Sequence, residues 1–201
     1  QPRQMVAQFG KSIAREMDLA LEARQQERFA QNFAGDPNVV IPRIHWQWTS
    51  PVMNVQAFIE GIPGNDMAAV DAAGLDRRLL AGRGADAVLK MILVDGYFHA
   101  DPHPGNVYYL PDNRIAMIDF GMVGRLTDVR RNQIVDLLAA LSQRDAEAMT
   151  HVMLDWTENE PLDEERLAAD LDELVFQYAN VPLGEFRLAP LLGDITAILR
   201  D

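Results

Sequence analysis

Apolar residues recur at three- and four-residue spacing near the start of the chain, which predicts a helix over about residues 12–33. Arg, Glu and Gln separate the repeating positions, which are Ile13, Met17, Ala20 and Leu21. Gly35-Asp36-Pro37 ends the pattern. Two shorter runs rich in β-branched and aromatic residues follow, over 39–48 and 52–59. They predict a strand pair joined at Thr49-Ser50-Pro51.

Glycine and proline interrupt the pattern most strongly between Glu60 and Gly64, where we place a hinge. Helical spacing resumes over 66–80 and 85–97, and Gly82 and Gly84 separate these two predicted helices. Two short strands, 107–110 and 114–118, flank the turn sequence Pro111-Asp112-Asn113 and predict a hairpin. Further helices are predicted over 127–141, 145–154, 163–178 and 188–200, with Thr127 and Asp163 as N-caps.

Composition excludes several classes of function. The 201 residues include no cysteine, which excludes disulfide scaffolds, thiol catalysis and zinc sites that use cysteine. The formal net charge of −12 argues against a nucleic-acid partner, which would require a basic surface. No secretory signal is visible and no apolar run approaches the roughly 20 residues of a membrane span, so we expect a cytoplasmic protein. Because the chain opens at Gln1 and closes within a helical pattern, we also expect a truncated fragment.

Polar residues cluster around the predicted hairpin. Asn106 comes just before its first strand and Asp119 just after its second, and a hairpin brings these two ends about 5 Å apart. Asp101 lies five residues before Asn106 in a loop stiffened by prolines. One amide and two carboxylates at one edge form a site of hard oxygen atoms, which suits Mg²⁺. Capping side chains in a surface loop would be the simpler interpretation, but the joint spacing makes it the weaker one.

This spacing is that of protein kinases, in which Asp, four residues and Asn precede a hairpin and Asp-Phe-Gly. The residues within the two motifs narrow the choice of kinase family. Phe98-His-Ala-Asp-Pro-His-Pro-Gly-Asn106 and Ile118-Asp-Phe-Gly-Met-Val-Gly-Arg-Leu126 closely resemble the signatures of the UbiB/AarF atypical kinases. Arg15-Glu-Met-Asp-Leu-Ala-Leu-Glu-Ala23 resembles their Glu-x-Asp helix, and the resemblance extends from about Lys11 to the end of the chain.

The resemblance implies ATP and Mg²⁺ as cofactors and assigns roles around them. Asp101 takes the place of the catalytic base, and Asn106 and Asp119 become magnesium ligands. We expect His99 to support the catalytic loop by packing, and we count it with Asp101 among the catalytic residues. An alternating His-x-Asp-x-His metal site at His99, Asp101 and His103 is the alternative, but loop packing explains the histidines better.

The expected nucleotide-binding residues also follow from the resemblance. Glu16 and Asp18 form the Glu-x-Asp pair, and Glu22 is the partner of a phosphate-contacting lysine. The adenine slot is expected along the hinge, at Phe58, Glu60 and Gly61. Spacing alone would place the three acidic residues of the first helix on a solvated surface, because residues two apart point about 200° apart on a helix.

The implied architecture is α+β, mainly α, with a protein-kinase-like fold. Residues 61–201 would form the C-terminal lobe and residues 1–60 a remnant of the N-terminal lobe. The family's Lys-x-Gly-Gln segment, alanine-rich nucleotide loop and strand lysine are not found in this sequence, and Lys11 does not have a strand context. We therefore expect the fragment itself to bind ATP poorly and to be inactive.

The resemblance implies an ATP-dependent phosphotransferase or ATPase in ubiquinone biosynthesis or lipid-related metabolism. A nucleotide is the expected partner, together with a lipid or quinone precursor, and membrane association is expected only of a longer parent protein. Two alternatives stay open. One is an aminoglycoside- or choline-type small-molecule phosphotransferase, which shares the Asp-x-x-x-x-Asn loop, and the other is a non-catalytic pseudokinase scaffold.

Overall fold

A computed structural model describes residues 18–156 and 163–178 of the chain. The chain divides into two compact units at the junction of Leu126 and Thr127. The first unit contains both sheets of the described residues, and the second contains only helices. This division is not the lobe boundary near residue 60, which stays a prediction.

The first helix, α1, spans Leu19–Asn32. Asp18 precedes it as the N-cap, and its Oδ1 accepts hydrogen bonds from the backbone N–H groups of Ala20 and Leu21, each at 3.1 Å. The prediction of one continuous helix over 12–33 is therefore wrong at Asp18, and its part over 12–17 lies outside the described residues. An aspartate can bond the free N–H groups of a helix start, and it leaves helical geometry to do so.

The segment after α1 contains less strand than predicted. Only β1, Val39–Val40, is a strand, and residues Trp46–Trp48 form a 3-10 turn. Isolated antiparallel bridges, Ile44 with Gln56 and Ser50 with Met53, preserve the predicted pairing without its length. Side chains replace the missing ladder: the buried Gln26 of α1 donates to the Pro42 carbonyl at 2.7 Å. Proline cannot donate to a ladder, so a regular strand is interrupted here.

The larger sheet has the order β1-β5-β4-β2, with β2 at Ile62–Pro63, β4 at Val107–Leu110 and β5 at Arg114–Met117. Strands β4 and β5 pair antiparallel, which confirms the predicted hairpin, and β1 runs parallel to β5. The predicted hinge contains β2, which pairs with β4. Gly64 then packs its backbone against Pro104 and Val107, so close that an added Cβ would lie 2.6 Å from the Pro104 carbonyl oxygen.

The next helices are α2, Met67–Ala72, and α3, Arg77–Leu89, and α3 continues into a π-helical turn at Lys90–Asp95. The predicted break at Gly82 and Gly84 is wrong, because both glycines lie inside α3. The chain turns instead at Gly74, where φ is +68°. Asp76 then caps α3 by accepting from the N–H groups of its first turn. Interior glycines cost a helix only about 1 kcal/mol each, which packing can override.

A second, two-stranded sheet pairs β3, Tyr97–His99, with β6, Val123–Arg125. The sequence pattern did not predict these strands. Beneath them lies an apolar core shared by α1, the π-turn and the ends of the hairpin. Its fully buried members include Phe29, Met91 and Phe120.

The second unit contains α4, Asp128–Gln143, α5, Ala146–Trp156, and α6, Glu164–Tyr178. Thr127 and Asp163 cap α4 and α6, as predicted. The three helices pack around a core of leucine and methionine side chains. The predicted helix 188–200 lies outside the described residues. Across the described chain the α+β, mainly helical class is confirmed.

Candidate functional site

Two segments lie side by side at the centre of the candidate site. The loop of residues 99–106 joins β3 to β4, and residues 118–122 join β5 to β6. Backbone bonds connect the segments at both ends, from Ile118 N–H to the Asn106 carbonyl at 2.9 Å and from Ala100 N–H to the Met122 carbonyl at 3.0 Å. The pairing of β3 with β6 and of β4 with β5 therefore fixes the spacing between the predicted catalytic loop and Asp-Phe-Gly.

His99 is a buried support between these two segments. Its Nδ1 accepts the N–H of Asp101 at 3.1 Å, and its Nε2 lies 3.3 Å from the Ile118 carbonyl oxygen. Because Nδ1 is an acceptor, the neutral ring carries its proton on Nε2 and donates it to Ile118. The ring also packs 5.2 Å from Phe120. The arrangement agrees with a supporting function for His99.

The side-chain amide of Asn106 is buried and oriented. Its Nδ2 donates to the Asp101 carbonyl at 3.2 Å, which turns Oδ1 the other way. No hydrogen bond to Oδ1 occurs among residues 18–156 and 163–178, so this oxygen is available to a cation. The same bond holds the backbone of Asp101 against Asn106.

Asp119 adopts a left-handed conformation with φ of +60°, which is uncommon for residues other than glycine. Its Oδ1 accepts the Gly121 N–H at 3.3 Å, and its side chain is exposed. Strained backbone of this kind costs about 1–3 kcal/mol and concentrates at functional sites. Phe120, the next residue, is fully buried and keeps the strained turn in place.

Glu22 extends the site from the hairpin to α1. Partial burial raises the pKa of the Glu22 carboxyl, the negative charge of Asp119 raises it further, and a hydrogen bond from the Phe120 N–H opposes both effects. Glu22 therefore lies beside Asp119 and Phe120. The sequence suggested a lysine partner for Glu22 but gave no sign of its contact with Asp-Phe-Gly.

The remaining predicted nucleotide residues are placed less closely. Asp18 caps α1 and lies 3.8 Å from an Arg24 nitrogen, and Glu16 lies outside the described residues. Phe58 is 90% exposed and Glu60 is exposed, whereas Gly61 packs against β4. No bond within the described part of the chain joins Asp18, Phe58 or the hinge to Asp119. The structure thus brings together His99, Asp101, Asn106, Asp119 and Glu22.

The donor atoms fit a magnesium–nucleotide complex better than a metal bound by protein alone. No group of three or more His, Asp or Glu that could hold a metal occurs among the described residues. One carboxylate and one amide oxygen are a typical protein contribution to Mg²⁺, which keeps water and phosphate as its other ligands. The like charges of Glu22 and Asp119 also favour a cation beside these two carboxylates.

Two residues of the site were not among the predicted site residues. Phe29 of α1 is fully buried against the ring of Phe120, and only its helical spacing could have marked it as core. His103 faces Asp101 from within the catalytic loop, with 3.7 Å between its Nε2 and an Asp101 carboxylate oxygen. The sequence suggested His103 only as part of an alternative His-x-Asp-x-His metal site, and loop packing explained the residue better.

Comparison with known proteins also indicates a kinase-like domain. The ABC1 atypical kinase-like domain matches residues 1–153. The chloroplast protein ACTIVITY OF BC1 COMPLEX KINASE 1 of Arabidopsis thaliana is 39% identical over 132 residues, which are 66% of this chain and 19% of that protein. The probable protein kinase UbiB of Azotobacter vinelandii is 34% identical over 155 residues, covering 75% of this chain and 29% of that protein.

A solved structure extends the comparison to the fold. Rv3197 of Mycobacterium tuberculosis, in complex with erythromycin, superposes with a TM-score of 0.59 at 21% identity, over 99% of this chain and 57% of that chain. The likeness supports a shared fold. An uncharacterized Synechocystis protein, sll1770, is 36% identical over 145 residues, which are 72% of this chain and 25% of that protein. The chain thus spans about a quarter of the length of the curated relatives it matches.

Proposed function

Because the chain belongs to the ABC1 atypical kinase-like family, we propose that it is part of an ATP-dependent phosphotransferase or ATPase of the UbiB type. The observation that carries the proposal is the convergence of Asp101, Asn106 and Asp119 on two segments bonded to each other at both ends. These residue types at this spacing are those that kinases use for phosphoryl transfer.

Each of these residues has a distinct task in the proposed reaction. Asp101 accepts the proton of the attacking hydroxyl or water, and its backbone is held by His99 and Asn106. Asn106 Oδ1 and the Asp119 carboxylate would hold Mg²⁺. The ion, when bound, neutralises phosphate charge and aligns the nucleotide. Glu22 lies beside Asp119 and Phe120 and adds its negative charge to that side of the site.

The substrate belongs to the proposal as well. By likeness to UbiB, we propose a lipid or quinone precursor as the acceptor, in ubiquinone biosynthesis or a related lipid process, for a cytoplasmic protein whose longer form associates with membranes. None of the described helices has both the length and the apolar character to span a bilayer. The net charge of −12 supports the exclusion of nucleic acid as a partner.

The test is Mg²⁺-dependent ATP binding by calorimetry and ATP hydrolysis, on this chain and on a longer protein that includes the family's lysine segments. We expect binding by the longer protein, weak or no binding by this chain, and loss of both readouts in Asp119→Asn. Asp112→Asn is the matched control, since Asp112 is also exposed and left-handed but lies at the opposite end of the hairpin.

No Mg²⁺-dependent binding by the correctly folded longer protein would refute the enzymatic proposal and favour the scaffold. Equal loss in Asp112→Asn would show that the hairpin, and not the metal ligand, was disturbed. Phosphate transfer to an aminoglycoside or choline would assign the protein to the small-molecule phosphotransferases instead.

A further inference from the structure

We propose that His103 is a positioning residue that orients the carboxylate of Asp101 for proton transfer. The proposal rests on the phosphoryl-transfer function above, in which Asp101 is the base. It concerns a histidine whose tautomer and direction are both set by the loop that carries it.

The loop fixes which ring nitrogen of His103 carries the proton. Nδ1 accepts the N–H of Gly105 at 2.9 Å, so a neutral ring has its hydrogen on Nε2. The ring also folds over Gly105, because a Cβ added there would lie 2.5 Å from His103 Cε1. Glycine at position 105 is therefore what allows the ring to occupy this place.

The free N–H of His103 then lies near the catalytic carboxylate. Nε2 lies 3.7 Å from Asp101 Oδ2, a separation longer than a hydrogen bond. Catalytic hydrogen bonds are often long without substrate and shorten in the reactive complex. A small rotation of either side chain would close this gap, and the fixed tautomer ensures that a donor meets the acceptor.

The backbone N–H and carbonyl of Asp101 already have hydrogen-bond partners, whereas its side-chain carboxylate needs a donor. The backbone N–H of Asp101 bonds His99, and its carbonyl accepts from the His103 N–H at 2.9 Å and from Asn106 Nδ2. In the described chain, His103 is the partner found for the carboxylate itself. The two side chains are about half exposed, so the contact adds little to stability and its effect falls on orientation.

Two substitutions separate orientation from loop structure. His103→Asn places an oxygen near the position of Nδ1, which can accept the Gly105 N–H but does not reach Asp101. His103→Gln places its amide nitrogen near the position of Nε2 and retains a donor toward Asp101. His151→Asn, at an exposed position of α5, is the control for histidine loss elsewhere.

The measurement is steady-state ATP hydrolysis by the full-length protein that carries this chain. We expect His103→Asn to lower kcat roughly 10- to 100-fold with KM for ATP within about 2-fold, since misplacement of a catalytic group by 1 Å costs about that much. His103→Gln should recover at least a third of the lost kcat on a logarithmic scale. The kcat of His151→Asn should match that of wild type, and the melting temperatures of all three variants should be unchanged.

The outcomes are distinguishable. Active wild type with an equally active His103→Asn overturns this inference and leaves the proposed function intact. Equal losses in the Asn and Gln variants, or a rise in KM with lowered melting temperature, identify a structural effect and also overturn it. Wild type without any hydrolysis overturns this inference, and the proposed function falls with it only if Mg²⁺-dependent ATP binding is absent as well.

Discussion

Replacing Phe29 with alanine should release helix α1 from the Asp-Phe-Gly segment. The Phe29 side chain is fully buried. Its ring centroid lies 4.7 Å from that of Phe120 and 4.8 Å from that of Tyr97, and the His99 ring is 6.5 Å away. One side chain thus connects the helix that carries Glu22 to three residues around the site.

The magnitude follows from this burial. Truncating a buried phenylalanine costs about 3–5 kcal/mol, which includes the cavity left behind. The two close ring pairs favour the upper half of that range, because aromatic pairs add about 0.5–1.5 kcal/mol beyond area burial. We expect about 4 kcal/mol, a large share of a typical stability of about 5–15 kcal/mol. This corresponds to a roughly thousand-fold larger opening equilibrium.

Amide hydrogen exchange of the peptide covering α1 measures this opening directly. Exchange there should accelerate at least a hundred-fold in Phe29→Ala, while peptides of α4 keep their rates. Phe58→Ala is the matched control, since Phe58 is 90% exposed in the same unit and its truncation should change stability by less than about 0.5 kcal/mol. Acceleration below ten-fold in Phe29→Ala would mean that the ring does not hold the helix, and our account of the site would be wrong.

Three further predictions concern the supports of the site. Lys90→Met should lower the free energy of unfolding by roughly 2 kcal/mol in urea titrations, because it removes charged bonds of 2.7 and 2.8 Å to the Asp95 carboxylate; equal stability would contradict this. Gly64→Ala should lower the melting temperature because its Cβ meets catalytic-loop backbone, whereas Gly82→Ala, with nothing within 4 Å, should raise stability by about 0.5–1 kcal/mol; opposite signs would refute the close approach. Burial raises the pKa of the Tyr97 phenol, and the positive charges of Arg28 and Arg125 oppose this rise. The stability that the raised pKa contributes is fully present below the unfolded pKa of about 10 and is lost as pH rises through the folded pKa. Tyr97→Phe should therefore lose less stability than wild type above about pH 10 in denaturant titrations, and parallel curves would contradict the burial of the hydroxyl.

Local patterns predicted the elements whose contacts are local. The hairpin between Val107 and Met117 and the described helices of the second unit follow from turn residues, caps and periodicity, and the structure confirms them. The strands at 39–59 were overpredicted, since a sequence pattern cannot show that Gln26 bonds the Pro42 carbonyl from a helix. Strands β3 and β6 are three residues each, which is too short for alternation to reveal.

The residues of the candidate site likewise divide into those that local sequence places together and those that only the fold brings together. Asn106 and Asp119 could be placed together because a hairpin joins them, and Asp101 because it shares their loop. Glu22 reaches Asp119 across almost a hundred residues of sequence, and only the docking of α1 through Phe29 determines that approach. The direction of the His103 ring likewise depends on the fold of its loop over Gly105, which composition does not specify.

The conformation of Asp119 shows how these supports combine. A left-handed aspartate costs about 1–3 kcal/mol, and full burial of the Phe120 side chain contributes about 1.5–3 kcal/mol in the opposite direction. The two terms are of similar size, so the strained turn persists only while Phe120 stays in the core beside Phe29 and His99. On the other side of Asp119, the backbone bond from the Ile118 N–H to the Asn106 carbonyl fixes the chain. Because Phe120 is buried and Ile118 is bonded, the backbone that carries the exposed Asp119 carboxylate is held in place before any ligand binds, and the cost of ordering this backbone falls on folding and not on binding.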